Sequence, residues 1–93
     1  MGTSEPIRPQ CLRPAGADWQ KSDRKPTGVE IREVIRRAGL TGGQAAALLG
    51  ISGDSGGRTV RRWISGESDI PYSAWAILCH VAGLGIIWVD NES

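Results

Sequence analysis

Residues 58–65, RTVRRWIS, carry three arginines whose spacing suggests a chemistry before any fold is known. On a helix turning about 100° per residue, setting Arg58 at 0° puts Arg62 near 40° and Arg61 near 300°. Trp63 near 140°, Val60 near 200° and Ile64 near 240° fill the opposite side, with Thr59 on the flank. One side is apolar enough to be fastened to a core, and the other shows guanidinium groups with no acid among them. Like charges at these spacings repel by a few tenths of a kcal/mol, and a bound anion relieves the repulsion. The planar fork of arginine also grips phosphates and guanine edges with paired hydrogen bonds. A solvated charged face is the plain alternative, although such faces usually mix signs. The pattern points to nucleic-acid contact.

A second candidate chemistry lies just upstream. Residues 53–57 read GDSGG, the string in which trypsin-like serine proteases carry their nucleophile. Acyl transfer by Ser55 needs a base within hydrogen-bond reach and a group that orients it. The one histidine, His80, follows Ser55 inside the apolar stretch AWAILCHVAGL, whereas the protease order puts histidine first. The string runs into Arg58 where the protease continues with proline, and 93 residues are too few for two β-barrels. No catalytic residue is assigned, and an enzyme is not expected.

Metal and redox chemistry are similarly restricted. Cys11 and Cys79 have no second cysteine nearby, and neighbours Cys79 and His80 point to different faces of a helix. No metal or other cofactor is expected, and Cys79 reads as a small buried hydrophobe in a reducing compartment. No stretch suits a signal peptide or a bilayer span, and MGTSEP lacks the Ser or Thr at position six of a myristoylation signal. A soluble, cytoplasmic protein without membrane attachment is expected. The formal net charge is +1, but all eleven Lys and Arg residues fall in residues 1–62, five more than the acids there. Residues 63–93 hold four acids and no Lys or Arg. That division suits a polyanion on one surface and another partner elsewhere.

The elements that must position the arginines follow from local signals. Residues 1–26 hold four of the five prolines among polar and charged residues, and read as an extended or disordered basic arm. Its Arg8, Arg13, Lys21, Arg24 and Lys25 either track a nucleic-acid backbone or belong to an idle tail, and Trp19 is available for docking. Thr27 and Glu30 stand at capping-box spacing, opening a helix with Ile31, Val34, Ile35 and Ala38 on one face. Thr41 and Gln44 repeat the signal for a short second helix, closed by Gly50. The arginine helix follows GDSGG and ends at Gly66. Pro71 opens another helix, its apolar face built on Ala74, Trp75, Leu78, Val81 and Ala82. Trp63 and Trp75 read as core, and His80 as a half-buried helix residue. The terminal IIWV reads as a short strand.

Two short capped helices joined by a glycine-containing turn form a helix-turn-helix pattern. LTGGQAAALLGIS followed by RTVRRWISGESDIP resembles the helix-turn-helix domain of the Cro and lambda-repressor (XRE) class. The matching positions are Leu40, Thr41, Ala46, Leu49, Gly50, Ile51, Ser52, Thr59, Val60, Trp63, Gly66, Ile70 and Pro71. The resemblance covers roughly residues 27–84 and extends in size to short repressors of plasmids and phages. It implies a recognition helix around 56–65, with Arg58, Arg61 and Arg62 contacting bases. Thr59, Thr41, Gln44 and the amides of Gly56 and Gly57 are then expected at the DNA backbone.

Two departures from the family pattern stand out. GDSGG lengthens the turn before the recognition helix by about four residues, and it has two readings. Either Ser55 or Asp54 caps the helix, or the Gly56 and Gly57 amides bind a phosphate. Gly42 also stands where the family often has a glutamine that touches the backbone.

The resulting expectation is an all-α bundle of four to five helices, with a flexible arm at 1–26, a DNA-binding domain at 27–84 and a strand and tail at 85–93. All four residues of IIWV are apolar, and a lone strand leaves its backbone unpaired, so pairing with a second copy is expected, the alternatives being packing on the chain's own core or pairing with part of the N-terminal arm. The dimer residues are then Ile77, Leu84, Ile86, Ile87, Trp88 and Val89. The implied function is repression of transcription by a homodimer on an inverted-repeat DNA operator. The rival is a protein-binding module on the same scaffold, an antitoxin or small inhibitor, with DNA binding secondary.

Overall fold

Both capping boxes form as their spacing predicts. Thr27 Oγ1 accepts from the Glu30 amide at 3.2 Å, while Glu30 Oε1 accepts from the Thr27 amide at 2.7 Å. The same exchange links Thr41 and Gln44 at 3.1 and 2.9 Å. Each box satisfies two amides that a helix start leaves unpaired. The computed structural model, which describes residues 7–16, 19, 24–51 and 55–89, places four α-helices among them. These are α1 (Gly28–Arg37), α2 (Gly42–Leu48), α3 (Ser55–Ser65) and α4 (Tyr72–Val81), after one 3-10 turn at Pro9–Cys11.

α1, α2 and α4 end alike. After α2, the Ile51 amide donates to the Ala46 carbonyl and Gly50 to that of Ala47, with Gly50 at φ +79°. Gly39 with Leu40, and Gly83 with Leu84, close α1 and α4 through the same pair of bonds. This closure needs a residue in the left-handed region, where glycine has no Cβ to clash.

The core joins one face of every helix. Ile31, Val34 and Ile35 of α1, Ala45 and Ala46 of α2, and Val60 and Trp63 of α3 are buried. Around Trp75 they meet Ala74, Ala76, Leu78 and Cys79 of α4. Both tryptophans expected in the core are there. On α4 the buried face turns toward Ala76 and Cys79, so Val81 and Ile77 stay exposed. His80 is exposed too, edge-on to Trp88 with ring centroids 6.0 Å apart, because it lies opposite the Trp75 side of α4.

The C-terminal strand expected at IIWV is not seen among the described residues. Residues 84–86 have no regular structure and residues 87–89 form a turn, with Gly83 and Gly85 at φ +87° and +89°. These two reversals break the run, and of its four apolar residues only Ile87 is buried. Residues 84–89 thus offer side chains, not an extended edge.

The N-terminal stretch contributes to the packing. Cys11 is buried, and its carbonyl accepts the Trp75 indole N–H at 2.7 Å. Arg24 is buried and donates to the carbonyls of Gln10, Ala15 and Pro14 at 2.8, 2.9 and 2.9 Å. Its guanidinium stands 5.8 Å from the Trp19 ring centre, and Trp19 meets Tyr72 edge-on. Burial pushes the Cys11 thiol up to about 11 and that of Cys79 to about 12. Both thiols are free and protonated, in line with cysteines acting as small core hydrophobes.

Candidate nucleic-acid interface

α3 is fastened along its apolar side. Val60 is fully buried and Trp63 nearly so. Gly28, in the first turn of α1, lies directly against the Ile64 carbonyl, where any Cβ would overlap the oxygen. A Cβ on Gly42 of α2 would stand 3.9 Å from Val60 Cγ1, and one on Gly57 would stand 4.0 Å from the Gly43 backbone. The first turns of α2 and α3 therefore meet backbone to backbone. The missing side chain of Gly28 lets α1 approach α3 closely, while α2 and α3 lie within ordinary van der Waals reach of each other.

The other side of α3 faces outward. Arg58, Arg61 and Arg62 are exposed, as the helical projection requires, and with Ser65 and Glu67 they line one open depression of about 350 Å³. Arg58 and Arg61 have no carboxylate partner among the described residues. Arg62 has a distant one: its Nε lies 3.9 Å from Glu67 Oε2, with both side chains more than half exposed. That distance is beyond hydrogen bonding, and an exposed pair of this kind is weak.

Other arginines are engaged within the protein. Arg36 and Arg37 both clasp Glu33, at 2.7 and 2.6 Å. Arg8 holds Glu30 through two guanidinium nitrogens at 2.9 and 3.0 Å, and donates to the Lys25 carbonyl at 2.7 Å. Burial pushes the Glu30 carboxyl up, but hydrogen bonds from Arg8 and from the Thr27 amide outweigh it and leave the group below its ordinary value. Lys25 pairs with Asp69 at 2.9 Å. Three cations assigned to the N-terminal arm, Arg8, Arg24 and Lys25, are thus tied to the folded body. Lys21 lies outside the described residues.

The expected backbone contacts sit around the α2–α3 junction. Thr41 and Gln44 are exposed at the start of α2, and Thr59 is half-buried. The capping box engages Gln44 through Oε1, which directs its remaining chemistry to the two N–H donors of Nε2. Gly56 and Gly57 fall inside the first turn of α3, where amides lack intrahelical acceptors. α3 therefore starts at Ser55, and GDSGG is in part helix. Asp54 and the Ser55 side chain, the two candidate caps, lie outside the described residues.

Two relatives place this arrangement in a family. A transcriptional repressor protein KorC of Escherichia coli is 61% identical over 82 residues, covering 88% of this chain and 89% of the relative. A second Escherichia coli KorC is 55% identical over 84 residues, covering 90% and 92%. The chain belongs to the KorC transcriptional repressor family. No protein-family model and no solved structure matches it.

In this KorC-family chain the residues expected to dimerise form an apolar patch remote in character from the arginine helix. Ile77, Ile86, Trp88 and Val89 are exposed, Leu84 is half-buried, and Ile87 turns into the core. Tyr72, Ser73, Ala76, Ile77 and Trp88 line a depression of about 270 Å³ there. No helix among the described residues is long and apolar enough to cross a membrane.

One residue of the arginine depression escaped the sequence reading. Glu67 follows Gly66, in the short segment between the arginine helix and the helix that Pro71 opens. Its signal was its position: five residues beyond Arg62, just past a glycine that reverses the chain.

Proposed function

We propose that this KorC-family chain is a DNA-binding transcriptional repressor that acts as a homodimer on an inverted-repeat operator, with α3 entering the major groove. The carrying observation is the exposed trio Arg58, Arg61 and Arg62 on a helix whose other side is buried and braced at glycine contacts. Such a helix presents its forks to base edges at little cost in order. The sequential α2–α3 pair, packed closely at its first turns, supports a helix-turn-helix of the Cro and lambda-repressor class.

In this reading Arg58, Arg61 and Arg62 contact bases. Thr41, Gln44, Thr59 and the Gly56 and Gly57 amides contact phosphates, which set position without reading sequence. Residues 27–84 form the DNA-binding domain, and Ile77, Leu84, Ile86, Trp88 and Val89 form the dimer contact through side chains, with Ile87 beneath them. Two such helices reach successive major grooves about 34 Å apart. Repression follows from occupying a promoter. Ser55 has no catalytic role in this reading: it opens α3, while His80 sits on α4 beside Trp88.

Selection of bound sequences from random duplex DNA tests the proposal. A palindromic consensus with half-sites one helical turn apart is expected, and recovery of no sequence preference rejects it. The exposed apolar patch favours a second reading, a module that binds an unlike protein. Mass measurement on purified protein separates the two, because that reading requires a monomer.

A further inference from the structure

The arginine depression holds one acidic residue, and its place is built by the end of α3. Gly66 turns at φ +87°, its amide donating to the Trp63 carbonyl at 3.3 Å. The Ser68 amide then reaches back to the Arg62 carbonyl at 3.3 Å. These two bonds fold the chain over the last turn of α3 and leave Glu67 beside the Arg62 side chain. Glu67 Oε2 stands 3.9 Å from Arg62 Nε, on the stem side of the guanidinium. The two terminal nitrogens are left for another acceptor.

A carboxylate in a surface meant for DNA has a cost. Near a phosphate it repels, and unit charges about 4 Å apart in water interact by about 1 kcal/mol, close to a fivefold factor. That cost falls on every sequence alike, because every sequence carries phosphates. The benefit does not. A carboxylate that attracts the Nε edge biases the fork outward without bonding it, and among the base edges only guanine offers that fork two acceptors, O6 and N7. An acid so placed lowers indiscriminate binding while leaving the matched contact in place.

We infer that Glu67 is a specificity-determining residue of this interface: it positions the Arg62 fork and penalises binding that rests on phosphates alone. The inference rests on the DNA-binding reading above. Glu67 is 70% exposed at its side chain and lies outside the core, so its substitution leaves folding intact.

The test measures affinities of the full chain, and of Glu67→Gln and Glu67→Ala, for a selected operator duplex and for a scrambled duplex of the same length. Both variants are expected to bind the scrambled duplex about fivefold more tightly and the operator no more tightly than the wild type. The ratio of the two affinities shrinks accordingly. In an Arg62→Ala background, the acid's removal is expected to strengthen binding to both duplexes equally. An unchanged ratio in the single variants overturns the inference while leaving DNA recognition standing. A wild-type protein that does not distinguish the two duplexes overturns the underlying reading instead.

Discussion

The indole N–H of Trp75 donates to the carbonyl oxygen of Cys11 at 2.7 Å, across 64 positions of sequence and within the buried core. It ties the N-terminal 3-10 turn to the centre of α4. Trp75→Phe keeps most of the apolar volume but leaves that carbonyl without its donor. An unsatisfied buried acceptor costs about 1–3 kcal/mol. Urea unfolding is expected to show a lower midpoint at unchanged slope.

Gly28 has the opposite lesson for propensity. Alanine is the better helix former, by up to about 1 kcal/mol. Here its methyl would overlap the Ile64 carbonyl oxygen, a backbone atom that moves only if α1 and α3 separate. Gly28→Ala is therefore expected to lower stability by about 1–3 kcal/mol, as overpacking does. A thermal melt at or above the wild-type temperature would refute that close approach.

The Arg8–Glu30 pair makes stability depend on pH. The Glu30 carboxyl lies below its ordinary value in the folded protein, so folding gains from the ionised form. That gain is fully present above the unfolded-state value, about 4.3, and is lost as pH falls through the lower folded value. Glu30→Gln is expected to be less stable than wild type at pH 7, with the difference narrowing in acid. A difference independent of pH between 3 and 7 would contradict the assignment.

On α3, Arg62→Ala is expected to lower operator affinity by about 1–3 kcal/mol and relax one base position. Arg58→Ala acts alike at another position. Thermal stability is expected to hold in both, since neither side chain is buried. Unaltered selectivity in both variants would remove the base-reading role.

The apolar patch bears on assembly. Trp88 and Ile77 are 46% and 40% exposed, so Trp88→Ala and Ile77→Ser remove little from the monomer's core. Sedimentation is expected to show both variants shifted toward monomer. A wild-type dimer that both variants preserve would place the contact elsewhere.

What the sequence made legible was the local part of the fold. Thr27 with Glu30, and Thr41 with Gln44, bond side chain to backbone three positions apart, so spacing alone displays them. The arginine face of α3 was likewise visible from helical geometry. The N-terminal stretch was not, because Arg24 satisfies itself on the carbonyls of an irregular loop, which has no periodicity to read. IIWV misled for a related reason: four apolar residues in a row fit a strand or a turn equally, and the flanking glycines decided between them. Gly28 and Glu67 owe their roles to contacts with another element, which no local pattern records.

The sealed thiols of Cys11 and Cys79 make the protein its own stopwatch. An alkylating reagent can reach either thiol only when the packing around it opens, at the 3-10 turn for Cys11 and on α4 for Cys79. Their two labelling rates would therefore time the opening of the core at two points of one small molecule, without any probe being added to it.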